Sequence, residues 1–272
     1  MQSSIVTNET TSFSAVINSA SLMNKKYGPT NILIVLDIDN TILTSSVDLG
    51  GDIWYRWQRG KFDIKPTIQQ KVPCLYKDSI GLLYELVPME LTEKDLPKII
   101  ADWQSSGNTV IALTSRAPEN RAATERELEN KKIYFELAAL TPIDQKSPVY
   151  CETKERELSY MNGIMMTSGM NKGAMLKYIL EKTNRRFDAV IIVDDLQENI
   201  DNFYAEFTES KNIDMTIFHY TNVETQRKKK YGAVLTNEQA TKMASDWHKL
   251  NTTLNEIFPA RNLQGGCLSD KE

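Results

Sequence analysis

The stretch Ile32-Leu33-Ile34-Val35-Leu36-Asp37-Ile38-Asp39-Asn40-Thr41 decides the fold. Five apolar residues run straight into a carboxylate, and a second carboxylate follows two positions later. The run is short, branched and preceded by Pro29, which marks a buried strand rather than a helix. Ligand sites in open α/β sheets lie at the carboxyl ends of strands. Two acidic groups there repel each other unless a cation or a shared proton relieves them. That cost points to chemistry rather than packing.

Outward from this strand, apolar runs and helical periodicities alternate. Residues 109–113 read as a second strand, preceded by a helix carrying Ile99, Ile100 and Trp103 with Pro97 near its start. Pro118 opens a polar helix to about Lys131, and residues 133–137 read as a third strand. Asn162-Gly163 is a strong hairpin signal inside 157–166. A helix at 171–181 leads to a strand at 189–193 that ends on Asp194-Asp195. A polar helix from about Glu198 and a strand at 215–219 follow. Thr236 and Gln239 form a capping box for a long last helix whose Ala240, Met243, Ala244, Trp247, Leu250 and Leu254 share a face. At the other end, Phe13, Val16, Ile17, Leu22 and Met23 suit a short helix, and residues 1 to about 10 read as polar and loose. The alternation predicts an α/β fold, a mainly parallel sheet flanked by helices. Residues 43–91 break the pattern and form the expected insertion, with a smaller excursion at 141–168.

Composition narrows the function classes. With 41% hydrophobic and 25% charged residues the chain suits a globular protein. A net charge of -4 argues against general nucleic-acid binding. Apolar runs are strand-length, too short to span a bilayer. Cys74, Cys151 and Cys267 are scattered, so reduced thiols in a cytoplasmic setting are expected; no secretory signal is visible, and export by another route stays open. His219 and His248 are the only histidines, too few for an imidazole zinc site or a Ser-His-Asp triad.

Four positions then read together: Asp37-x-Asp39-x-Thr41, Thr114 with Ser115 and Arg116, Lys172 just inside a helix, and Asp194-Asp195 with Asn199 a turn later. Three of the four follow short apolar strands, whose ends converge at one edge if the strands are parallel neighbours. This ordered set resembles the haloacid dehalogenase-like (HAD) superfamily, from Ile32 to about His219. Asp52-Ile53-Trp54-Tyr55-Arg56-Trp57-Gln58 and Asn162-Gly163-Ile164 also look like a less characterised bacterial branch of it. The resemblance implies one Rossmann-like HAD domain over residues 1–272 with a cap insertion at 43–91. It implies a Mg²⁺-dependent phosphatase in which Asp37 is the nucleophile and forms an aspartyl-phosphate. Asp39 would be general acid and base, Thr114 a hydroxyl donor and Lys172 a charge stabiliser. The metal would be held by Asp37, the backbone carbonyl of Asp39 and Asp195, with Asp194 and Asn199 close behind. Which member of the acidic pair ligates directly stays open; the Asp195-x-x-x-Asn199 spacing favours Asp195. A carboxylate at position 39 fits phosphatases and mutases better than dehalogenases or ion-pumping ATPases.

Each motif alone has a plainer reading. Asp37 and Asp39 could cap a helix after a buried strand, acidic pairs are common in loops, and most lysines are solvated. The order in which they occur gives the set its weight. Arg116, Arg56, Ser115 and Asn199 are candidates for touching substrate, whereas Trp54 and Trp57 read as core of the insertion. The expected partner is a phosphorylated small molecule or phosphoprotein. The competing functions are a phosphotransferase with the same intermediate and a non-catalytic binding module; oligomeric state is unreadable.

Overall fold

The computed structural model describes residues 4–263 apart from 144, 146, 147, 211 and 212. It divides into two compact units, Met1–Leu43 with Leu91–Val223, and Thr44–Glu90 with Glu224–Glu272.

In chain order the first unit begins with β1 (Ile5–Thr10), α1 (Phe13–Tyr27) and β2 (Ile32–Leu36). The chain leaves it through β3 (Leu43–Ser45), passes α2 (Asp52–Gln58) and α3 (Ile80–Leu86), and returns through β4 (Met89–Leu91), which pairs with β3. There follow α4 (Leu96–Ser105), β5 (Thr109–Thr114), α5 (Arg121–Asn130), β6 (Tyr150–Thr153), β7 (Glu157–Met161) and β8 (Ile164–Met166). Then come α6 (Lys172–Thr183), β9 (Ala189–Asp194), α7 (Gln197–Phe207) and β10 (Asp214–Tyr220). The chain closes with α8 (Asn222–Tyr231), α9 (Asn237–Ile257) and α10 (Ala260–Leu263).

An eight-stranded sheet in the order β1-β10-β9-β2-β5-β8-β7-β6 forms the first unit. Pairing is parallel from β1 to β8 and antiparallel across the β8-β7-β6 meander. Every residue of β2, β5 and β9 is buried, as strands covered on both faces require. Their outward-turned apolar side chains meet those of α6 and α7 in one core containing Leu176, Ile179, Ile200 and Phe203. The strand order turns at β2: later strands lie on one side through β5 and on the other through β9. Such a switch point opens a crevice at the carboxyl ends of the strands, and Asp37 stands there.

Two expectations about the sheet are corrected. Residues 133–137 are not a strand; Phe135–Ala138 is a 3-10 turn. Only Ile133 and Phe135 there are buried, while Leu137 is 70% exposed. The place beside β5 is taken by β8, whose turn fits against Phe135. A Cβ on Gly163, at φ +74, would come within 2.7 Å of the Phe135 carbonyl oxygen. The second correction concerns the N-terminal segment, expected loose to about residue 10. Residues 5–10 are β1, paired in parallel with β10 along six positions. The Asp214 carboxylate anchors this edge, accepting from the Ser4 backbone N–H at 3.0 Å, Lys26 at 2.8 Å and the Tyr27 hydroxyl.

The second unit has its own core: Trp54, Trp57, Val72, Leu83 and Val87 close on Leu235, Ala240 and Met243. The α9 capping box is formed as expected, with Thr236 accepting from the Gln239 N–H. Trp247 from the same helix face meets Trp54 at 6.1 Å between ring centroids. Cys74 is disulfide-bonded, which corrects the reduced state expected of it. Cys151 is free and exposed, and Cys267 lies outside the described residues. No helix among them is long and apolar enough to cross a membrane.

Burial alone would raise the Asp214 carboxyl, but the hydrogen bonds from Lys26, Tyr27 and Ser4 outweigh it and hold it at about 2, below its ordinary 3.8. A depressed folded value adds stability above the unfolded value and loses it as pH falls. Asp214→Asn is therefore expected to lower the unfolding midpoint at neutral pH. The gap to wild type should narrow from about pH 4 downward, measured by thermal melts across pH.

Candidate functional site

Register brings the motif ends together. Leu36 pairs with Val193 on one side and Ala112 on the other, so Asp37 stands level with Asp194 and one residue short of Thr114. The Asp37 N–H donates to the Val193 carbonyl at 2.9 Å, extending the ladder into the site.

Lys172 reaches the same point from α6. Asn171 caps that helix, its side chain accepting from the Ala174 N–H at 3.0 Å. Lys172 is thus the first helical residue, only 1% exposed. A cation at a helix N-terminus faces the wrong end of the helix dipole, an adverse effect of about 0.3–1 kcal/mol. Its burial is compensated by two carboxylates: Nζ donates to Asp37 Oδ1 at 2.5 Å and to Asp194 Oδ2 at 2.7 Å. The other oxygen of Asp194 accepts from Asn199 Nδ2 at 2.8 Å and from the Leu196 N–H at 3.0 Å. Asp195 lies beside them, and one carboxylate oxygen from each of Asp37, Asp194 and Asp195 falls within 4.8 Å of the others.

Electrostatics follow from this packing. Burial raises the Asp37 carboxyl, Lys172 pulls it down and Asp194 and Asp39 push it up, which together leave it at about 7. Burial also disfavours the Lys172 ammonium, yet Asp194 and Asp37 outweigh it and hold its pKa above the ordinary lysine range. Lys172 therefore stays protonated, and any further positive charge beside Asp37 favours its carboxylate form.

Asp39 is arranged differently. Its two oxygens accept from Arg116 Nη2 at 2.7 Å and Nε at 2.8 Å. Thr114 is fully buried, its hydroxyl accepting from the Arg116 N–H at 3.2 Å. Its carbonyl accepts from both the N–H and the hydroxyl of Thr167. Ser115 is exposed. Arg56 belongs to the second unit, where it meets Glu224 at 3.1 Å and lies over the Phe62 ring.

Two supporting residues, Asn40 and Thr124, escaped the sequence reading. Asn40, in the left-handed region at φ 57, donates to Asp195 Oδ2 at 3.4 Å; an asparagine inside an acidic turn is the signal for it. Thr124 accepts from Arg116 Nη1 at 3.0 Å, and nothing local marks it. A ring nitrogen of His219 lies 3.0 Å from the Asp195 carbonyl.

These features define an α/β protein with a buried aspartate–lysine cluster at the carboxyl ends of adjacent parallel strands. The chain belongs to the family described as Protein of unknown function (DUF2608), which it matches over residues 9–259. A comparison with curated proteins gave no match.

Removing one partner of a buried ion pair strands the other, at about 3–5 kcal/mol. Lys172→Met should destabilise the protein by that order, read from chemical denaturation.

Proposed function

We propose that this chain is a HAD-like phosphatase, a Mg²⁺-dependent phosphomonoester hydrolase acting through Asp37. The observation that carries the reading is the buried Lys172 bridge between Asp37 and Asp194, with Asp195 alongside, at the switch point of the sheet. Its donor set consists of carboxylate oxygens, the chemistry that suits a hard divalent cation. Asp194 already accepts three hydrogen bonds. In this reading Asp37 and Asp195, with the backbone carbonyl of Asp39, are the ligands. Bound there, Mg²⁺ would screen the phosphoryl oxygens from the attacking carboxylate.

The chain's own groups then divide the work. An Asp37 oxygen attacks phosphorus while the bond to the leaving oxygen breaks, which gives an aspartyl-phosphate. Asp39, protonated when the substrate binds, hands that proton to the leaving oxygen; the carboxylate left behind then takes one from the water that hydrolyses the intermediate. The Thr114 hydroxyl donates to a phosphoryl oxygen, and Lys172 offsets the charge that phosphate adds beside Asp37. Positioning and charge stabilisation are most of what phosphoryl transfer asks of a protein. In this reading the 43–91 insertion is the cap, and it selects among phosphorylated small molecules or phosphoproteins.

A panel of phosphomonoesters that includes an aryl phosphate tests the reading. Hydrolysis should require Mg²⁺, disappear with EDTA and return when Mg²⁺ is restored. Asp37→Asn should abolish turnover, and Asp39→Asn should lower kcat by about 10²–10⁴-fold, the range for a lost general acid–base. A wild type inert across the panel with Mg²⁺ or Mn²⁺ would sink the phosphatase reading. Capture of the phosphoryl group by added alcohols would recast the protein as a phosphotransferase.

A further inference from the structure

Arg116 follows Thr114 at the edge of the site, where a free guanidinium would grip a phosphate. Its side chain is instead turned onto Asp39. Nε donates to Asp39 Oδ2 at 2.8 Å and Nη2 to Oδ1 at 2.7 Å, so the two planar groups meet edge to edge. Nη1 donates to Thr124 Oγ1 at 3.0 Å, and the Thr124 hydroxyl in turn donates to the Asn120 carbonyl at 2.8 Å. The main chain is held too: the Arg116 N–H donates to Thr114 Oγ1 at 3.2 Å, and its carbonyl accepts from the Ser168 N–H at 3.2 Å.

Exposure gives the pair a direction. The Arg116 side chain is 2% exposed and that of Asp39 is 21% exposed. Arginine therefore stands behind and the carboxylate in front. An incoming molecule meets Asp39, while the guanidinium is covered. A carboxylate held by both oxygens cannot turn about its last torsion without breaking a charge-assisted hydrogen bond, and only a planar fork imposes that restraint.

Resting on the phosphatase reading, we infer that Arg116 is a positioning residue. It fixes the plane of the Asp39 carboxylate toward the leaving oxygen and does not bind the phosphoryl group. The line Asn120–Thr124–Arg116–Asp39 carries the rigidity of the start of α5 into the catalytic turn. A substrate clamp and a positioning residue differ in what their removal costs. Loss of a clamp weakens phosphate binding. Loss of a positioning residue leaves binding intact and slows turnover, because a misplacement of about 1 Å can cost about 10²-fold.

The test is steady-state kinetics with an aryl phosphate and Mg²⁺, alongside calorimetric binding of inorganic phosphate. The proteins are wild type, Arg116→Ala, Arg116→Lys, Thr124→Val, Asp39→Asn and the Asp39→Asn/Arg116→Ala double variant. Arg116→Ala should lower kcat about 10²-fold while KM and phosphate affinity stay within about threefold. Arg116→Lys should not rescue it, since an ammonium cannot form the fork. The double variant should be no slower than Asp39→Asn alone, as expected for groups that act as one unit. Thr124→Val leaves the fork in place and loosens its anchor, so it should give a smaller fall in kcat, about tenfold, at unchanged KM. That variant and Arg116→Lys carry the test if Arg116→Ala does not fold. A rise of about tenfold or more in KM and in phosphate Kd with kcat held, or full additivity in the double variant, overturns the assignment and leaves the phosphatase reading standing. An inert wild type removes both.

Discussion

The buried Lys172 ammonium is the constraint on which the rest of the first unit depends. It sits at the start of a helix, at the unfavourable end of the dipole, away from water. Such a charge is tolerable only if partners meet it with good geometry. Asp37 and Asp194 do so at 2.5 and 2.7 Å, which ties the ends of β2 and β9 to the first turn of α6. The helix packing serves the same contact. A Cβ on Gly173 would come within 2.5 Å of the Asn202 carbonyl oxygen, so glycine there lets α6 lie close against α7. Since α7 follows directly from Asp194-Asp195, that approach keeps the lysine and the acidic pair in one rigid corner.

Two carboxylates two residues apart thereby come to differ in kind. Asp37 points into the corner, is 6% exposed, and shares Lys172 with Asp194. Asp39 lies on the turn above it, more open, with a guanidinium of its own. Between them and Leu43 the chain reverses through Asn40 in the left-handed region. One buried strand end thus presents two acids in separate electrostatic surroundings. A site that must both attack and handle a proton needs such a separation.

Legibility in the sequence followed the range of the interactions. β2, β5 and β9 could be read because burial on both faces demands an unbroken apolar run, and each ends at a polar residue that marks its carboxyl end. The turn at Asn162-Gly163 and the capping box at Thr236 and Gln239 could be read because their determinants lie within a few residues. The 133–137 stretch misled because its apolar residues match a strand locally, while β8 outcompetes them for the edge of β5. β1 was missed for the converse reason: its polar, half-exposed residues carry no hydrophobic pattern, and its order comes from pairing with β10 and from Asp214. The Cys74 disulfide was likewise beyond reach, since cysteine spacing does not specify which thiols meet.

By itself the sequence determined which residue types stand at the ends of the central strands: Asp37, Thr114 and Asp194-Asp195, with Lys172 opening a later helix. Local physics suffices for that, since apolar runs terminate where polar residues begin. Only the tertiary structure decided their partnerships. Lys172 bridges Asp37 and Asp194 across separations of 135 and 22 residues, and Arg116 meets Asp39 across 77. Those pairings depend on strand register and on the close packing of helices, and neither is encoded in any single stretch of the chain.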